Sequence, residues 1–251
     1  MLRISPAVAR MILVLAALVL CEILTQTSSA SRILVAAPSE IFWQLIKIVA
    51  TTSNVPNFYQ NFWITLQEVI GAFAVTAILS IALGFLLASS KLAGDAFEPI
   101  LLVLYAIPKV ILFPLFVLIL GIGMTPKIIF GITVGIFVVI FNTSAAVRQI
   151  EPNYLRLAHS LGYGRLMTFF KIVIPATAPT ILTGLRLGFG YTVIGVLAAE
   201  LLVVTNGLGS LIDWASFNYF TPQLYALIII ALMIGLVGNS MFTVLERRWV
   251  K

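Results

Sequence analysis

Apolar residues in this chain come in long unbroken runs and do not alternate with polar ones. Six runs stand out, at about 7–24, 64–88, 100–120, 128–146, 180–204 and 224–245. A helix crosses about 30 Å of hydrocarbon with roughly 20 apolar residues, so each run is long enough to span a bilayer. Strands of an outer-membrane barrel would be shorter and would alternate, which these do not. The expected fold class is an all-α membrane protein, six helices forming a single transmembrane domain over 1–251.

The pattern breaks in two informative places. Between the fourth and fifth runs lies a polar loop, about 147–179, that contains Arg156, Arg165, Lys171 and His159, the single histidine of the chain. Pro152 after Glu151 suits the first turn of a helix, and Gly162 followed by Gly164 ends it by accepting a left-handed backbone. A second short helix is expected from Arg165 to Ile174, stopped by Pro175. Leu155, Ala158 and Leu161 fall on one face of the first helix, and Leu166, Phe169 and Phe170 on one face of the second. Such a hairpin either lies in the headgroup layer or docks a soluble partner. The other break is Pro108 and Pro114 inside the third run, which must disturb that helix and mark it as a pore-lining or hinge helix.

Composition excludes a soluble globular protein: 61% of residues are hydrophobic, 10% are charged and the mean hydropathy is +1.12. The net charge of +6 is then a question of membrane sidedness and does not point to nucleic acid. With a cytoplasmic N-terminus, Arg3, Arg10, Lys91, Arg148, Arg156, Arg165, Lys171, Arg186, Arg247, Arg248 and Lys251 fall at cytoplasmic ends and loops. Only Arg32, Lys47 and Lys127 fall outside. Both termini are therefore expected in the cytoplasm, with the 147–179 loop beside them and the segment from Ala30 to Phe62 outside. The first run has an alternative reading as a cleaved signal, because Arg3 and Arg10 precede it and Ser28-Ser29-Ala30 offers small residues for cleavage. A lipoprotein reading of Leu18-Val19-Leu20-Cys21 is weaker still, because the bulky Leu20 sits where a small residue is expected. That lone cysteine also rules out an internal disulfide framework.

Charges inside the spans are costly and face a cavity or a partner. Glu200, late in the fifth run, faces the pathway or a partner interface, or else is a buried acid satisfied by neighbouring helices. Glu68 and Lys109 are expected to reach an interface by snorkelling, Lys109 with the further option of attracting an anion. The pairs Gly131/Gly135 and Gly184/Gly188 read as helix-packing surfaces. Trp214, Phe217, Tyr219 and Phe220 read as an aromatic belt in an outer loop, and a gate or binding-protein surface would use the same residues.

The hairpin resembles the cytoplasmic coupling motif of ABC importer permeases: Glu-Ala-Ala, three residues, Gly, nine residues, Ile-x-Leu-Pro. Ala158, Gly162, Ile172 and Pro175 stand in register, with Ile174 for the Leu. Arg156 takes the place of the Glu and Leu157 that of the first Ala. Further along the chain, Ala37-Pro38-Ser39, Thr65 to Phe73, Ala106-Ile107-Pro108-Lys109 with Pro114, Asn142-Thr143, Gly184-Leu185-Arg186, Ala198-Ala199-Glu200 and Gly207-Leu208-Gly209 are similar to the nitrate/sulfonate/taurine/bicarbonate branch of that superfamily.

The resemblance implies a six-helix, type I importer-like permease of the bacterial inner membrane, working as a homodimer or pseudo-symmetric heterodimer among membrane lipid. Two ABC ATPase subunits would bind at the hairpin and a periplasmic or lipid-anchored solute-binding protein on the other side. It implies coupling roles for Arg156, Leu157, Ala158, His159, Leu161, Gly162, Gly164, Ile172 and Pro175. It implies pathway roles for Pro108, Lys109, Pro114, Asn142 and Glu200. The chain contains no Gly-Lys dipeptide, so no P-loop is present and ATP with Mg would be bound by the partner. No cofactor or metal is expected in this chain. The implied solute is a small anion, with a neutral pyrimidine or an aromatic acid left open. Competing classes fare worse: a secondary carrier or channel would show repeats or an acidic ion path, and one histidine with no His/Asp/Glu cluster leaves little for an enzyme.

Overall fold

A computed structural model describes residues 5–27 and 35–249. Every element among the described residues is helical. In chain order these are α1 (Pro6–Thr27), α2 (Pro38–Val49), α3 (Phe58–Ser89), α4 (Lys91–Ala106), a 3-10 turn (Lys109–Leu112) and α5 (Phe113–Leu120). There follow α6 (Met124–Arg148), α7 (Pro152–Ser160), α8 (Arg165–Thr168), a π turn (Phe169–Val173), α9 (Ile174–Leu202), α10 (Leu208–Phe217) and α11 (Thr221–Trp249). Five helical stretches are long and apolar enough to cross a membrane, and a sixth span is formed if α4 and α5 count together. The suggested cleavage site at Ser28-Ser29-Ala30 lies outside the described residues.

The third span departs from the expected single helix, because α4 and the segment from Lys109 to Leu120 meet at 84°. Ile107 and Pro108 are extended there, as the steric clash of a proline ring with the preceding residue demands. Pro114 adds no second kink. It sits in the first turn of α5, where a missing N–H is harmless. A second correction concerns Pro175. It does not stop the hairpin's second helix, which runs on from Arg165 to Leu202. Proline clashes with the carbonyl four residues earlier, here Lys171, and the wide π turn at Phe169–Val173 carries that carbonyl out of the way.

The bundle is built on α6 and α9, which approach backbone to backbone. A Cβ at Gly135 would stand 2.9 Å from the Gly188 carbonyl oxygen and 2.3 Å from Thr192 Oγ1, and one at Gly188 would stand 2.2 Å from Val139 Cγ2. Gly131 meets Val196 and Gly184 meets Asn142 in the same way, as the small-residue pairs predict. Helix α3 packs on the other flank of α6, with Gly84 against Thr143. Val69, Ala72, Val193, Val196, Leu208 and Leu227 fill the buried core between α3, α9, α10 and α11. Helix α1 stands at the edge with most of its side chains exposed, as lipid contact requires. Its Glu22 takes hydrogen bonds from Ser39 N–H (3.2 Å) and Ser39 Oγ (2.7 Å) at the start of α2.

At the end of the bundle remote from the hairpin, a buried polar network ties α3, α6, α9 and α10 together. Thr65 Oγ1 donates to Glu200 Oε1 at 2.6 Å, and the Gly209 N–H donates to Glu200 Oε2 at 2.7 Å. The Leu208 N–H donates to Thr65 Oγ1 and the Gly207 N–H to Asn61 Oδ1, both at 2.7 Å. These amides open α10 and have no partner inside their own helix. Gly207, at φ +101, is the only residue type that fits, since a Cβ would fall 1.9 Å from Glu200 Oε1. Lys127 Nζ donates to both oxygens of Asn206 at 2.8 Å and lies 3.4 Å from Glu68 Oε1. Glu68, Lys127 and Glu200 are each 0% exposed, so Glu68 does not snorkel to an interface as expected, and Lys127, placed by its sequence position among the outside charges, is buried with it. The aromatic stretch expected as a loop is helical through Trp214 and Phe217 and turns at Tyr219 and Phe220, with Trp214 half-buried against Phe220 (5.3 Å) and Phe217 and Tyr219 exposed.

Two stability measurements follow. Gly135→Leu should destabilise the bundle by about 1–3 kcal/mol through overpacking, seen as a lower aggregation midpoint in detergent, while Gly190→Ala, which meets open space, should not. Equal midpoints would show that the α6–α9 crossing can yield. Lys127→Met should cost about 3–5 kcal/mol by leaving Glu68 buried and unpaired, and adding Glu68→Leu should recover most of that loss. A stable single variant would show that the ion pair carries no weight.

Candidate functional site

The hairpin between α6 and α9 forms as its sequence indicates up to its turn. Glu151 is extended and Pro152 opens α7. At the far end Gly162 adopts φ +71, its N–H donates to the His159 carbonyl (3.1 Å) and the Tyr163 N–H donates to the Ala158 carbonyl (3.0 Å). This pair of bonds closes the helix and reverses the chain. Gly164 contributes no left-handed residue, contrary to expectation. It is extended, and precedes α8.

The apolar residues of the hairpin divide between two directions. Ala158 is 1% exposed and faces inward, so it does not share an outer face with Leu155 and Leu161. Leu155, Leu157, Leu161, Leu166 and Phe170 are exposed. Arg156, His159 and Arg165 are exposed among them, and Lys171 Nζ sits 5.2 Å from the Tyr163 ring centroid. An apolar patch rimmed by cations is the kind of surface that another protein covers. Ile172 is half-buried inside the π turn, and Pro175 is exposed in the first turn of α9. The neighbouring Phe169 ring packs edge-on against Phe85 of α3 at 5.1 Å. A force on the hairpin therefore reaches α9 through a continuous helix and α3 through an aromatic contact.

The pathway candidates do not gather into one pocket. Pro108 and Lys109 lie at the α4/α5 break, where Lys109 Nζ donates to the Tyr105 carbonyl. It also lies 4.5 Å from the Tyr105 ring centroid and 5.2 Å from that of Phe137. Asn142 is half-buried at the α6–α9 crossing, with its Cβ packed on Gly184 and its Nδ2 donating to the Val138 carbonyl at 2.8 Å. Glu200 belongs to the buried network at the opposite end from the hairpin. Pro114 is exposed at the start of α5. A groove of about 490 Å³ between α3, α9 and α11, lined by Phe62, Phe73, Phe189 and Met233, is apolar and suits an acyl chain rather than a polar solute. Among the described residues no group of three or more His, Cys, Asp or Glu could hold a metal.

Sequence reasoning missed Lys127, Asn206 and Asn61 as members of the buried network. Lys127 borders an apolar run, so its position alone reads as a solvated end. Its partner Asn206 is 79 residues away, and no local pattern links the two.

Comparison with known proteins agrees with this geometry. The family described as "Binding-protein-dependent transport system inner membrane component" matches residues 80–251. "Nitrate import permease protein NrtB" of Synechocystis sp. is 36% identical over 176 residues, which are 69% of this chain and 62% of that protein. The chain thus aligns with less than two thirds of that relative's length. "Formylaminopyrimidine transport permease protein ThiX" of Halalkalibacterium halodurans is 27% identical over 203 residues, 80% of this chain and 81% of that protein. Among solved structures, the MetNI methionine ABC transporter in inward-facing conformations superposes with a TM-score of 0.68, covering 77% of this chain and 96% of that one. At 15% identity that likeness speaks to the fold alone. The glycine-packed helices, the hairpin and the family match agree: the chain belongs to the inner membrane components of binding-protein-dependent transport systems.

Proposed function

We propose that this chain is the permease subunit of an ATP-binding-cassette importer for a small anion, energised by ATPase subunits that dock on the α7 hairpin. The observation that carries the reading is the exposed apolar surface of the hairpin, Leu157 and Leu161 at α7 and Leu166 and Phe170 on the segment that runs on without a break into α9. A surface of that kind gives an ATPase a place to push, and the chain itself offers no phosphate-binding loop. Two ATPases, binding ATP and Mg, would draw two hairpins together, each from one permease copy in a homodimer. The bundle would then rock between inward- and outward-facing states. Shifting such an equilibrium from 1:99 to 99:1 takes about 5.5 kcal/mol of differential binding. A solute-binding protein would deliver the anion at the opposite end, near α10. The setting is the bacterial inner membrane, with both termini and the hairpin on the cytoplasmic side as the distribution of Lys and Arg favours. The nitrate relative supports an anion as cargo.

Purification of the tagged protein in mild detergent from its native host should recover an ATPase chain and a solute-binding protein. Leu157→Asp should reduce the recovered ATPase about tenfold, as burial of a lone charge in an apolar contact requires. Recovery of the chain alone, or of equal ATPase with Leu157→Asp, would contradict the docking role.

A further inference from the structure

We propose that Lys109 is the residue that admits anions to the pathway: its ammonium, held at mid-height of the bundle, contacts the passing anion and sets charge selectivity. The inference rests on the importer reading and adds to it the residue and the chemistry of selection. It begins from depth. Lys109 lies 5.2 Å from the ring centroid of Phe137, which stands near the middle of α6 between Met124 and Arg148. At 1.5 Å per residue, each end of that helix is about 16–20 Å away, well beyond the stem of a lysine. The ammonium therefore cannot reach either headgroup layer. A charge at that depth faces protein or water, not acyl chains.

An ammonium has three donors and no acceptor. The hydrogen bond that the structure gives Lys109 goes to the carbonyl of Tyr105, and the rings of Tyr105 and Phe137 cover one side of the charge. No carboxylate among the described residues pairs with it. Lys127 is the contrast within the same chain: fully buried, paired with Glu68 and bonded to both oxygens of Asn206. One lysine is locked into the structure and the other keeps donors free.

Lys109 is presented by the 84° break between α4 and α5, and the carbonyl it uses is two residues before the break. The break swings the lysine out of the helix ladder and leaves it half-buried. Two rings and one carbonyl hold the cation weakly enough to release it to an arriving anion. A carboxylate would hold it and close the route, since selection requires binding that is favourable to enter and weak enough to leave.

The experiment uses the assembled importer in proteoliposomes, with nitrate as the probe and a Cys21→Ser background. Lys109→Cys should lower ATP-driven nitrate uptake about tenfold or more, the effect of one lost charge-assisted hydrogen bond. Treatment with 2-aminoethyl methanethiosulfonate, which rebuilds an ammonium, should restore uptake. The sulfonate-bearing and the neutral methyl reagents should not. Restoration by the neutral reagent, or a Lys109→Cys thiol that no water-borne reagent modifies at rest or during turnover, overturns the proposal. Should Lys109→Cys fail to assemble, Lys109→Gln must show the same loss, and full nitrate uptake by it is equally decisive against. ATP-driven uptake of a neutral formylaminopyrimidine but not of nitrate by the unaltered complex would sink the role of Lys109 and leave the importer standing. Uptake of nitrate without ATP would sink the importer reading itself.

Discussion

Hydrocarbon offers no partner for a backbone amide or a charge, and three irregular features among the described residues answer to that constraint. Where the backbone leaves the helix at Gly207, Asn61, Thr65 and Glu200 supply the missing acceptors. Where it breaks at Pro108, the ammonium of Lys109 takes up the Tyr105 carbonyl. Where Pro175 cannot donate, a π turn opens the ladder. At each of these departures the backbone or side-chain groups of the chain itself take up what the helix ladder gives up.

The same constraint explains the division of labour along the bundle axis. The end remote from the hairpin is fastened by ions and amides that no single helix could keep, so α3, α6, α9 and α10 are held together there. The middle is held by glycines that let α6 and α9 touch through their backbones. The hairpin end packs Ala158 and Phe169 onto the bundle and leaves Leu155, Leu157, Leu161, Leu166 and Phe170 exposed. Helices fastened at one end and free to be pushed at the other form a lever, which is what a permease driven by a separate motor needs.

Much of this was legible in the sequence because its signals are local. Runs of apolar residues marked the spans, the four-residue spacing of Gly131/Gly135 and Gly184/Gly188 marked the crossing, and Pro152 and Gly162 marked the ends of α7. What the sequence hid depends on distance in the chain or on relief by neighbouring geometry. Lys127 reads as an outer charge until Glu68 and Asn206 fold against it. Pro175 reads as a stop unless a wide turn precedes it. Ala158 has the right spacing to share a face with Leu155, yet is buried where Leu155 is exposed, because packing against the rest of the chain and not helix spacing decides which side of α7 is covered.

The central claim is that energy enters at the hairpin from ATP hydrolysed by another chain. It is tested most directly by reconstituting the purified complex into vesicles with solute-binding protein and nitrate on the α10 side and ATP sealed on the hairpin side. The account requires nitrate to accumulate against its gradient only when ATP and Mg are present on the hairpin side, with no response to an imposed proton or sodium gradient. Accumulation driven by such an ion gradient in the absence of ATP would contradict it.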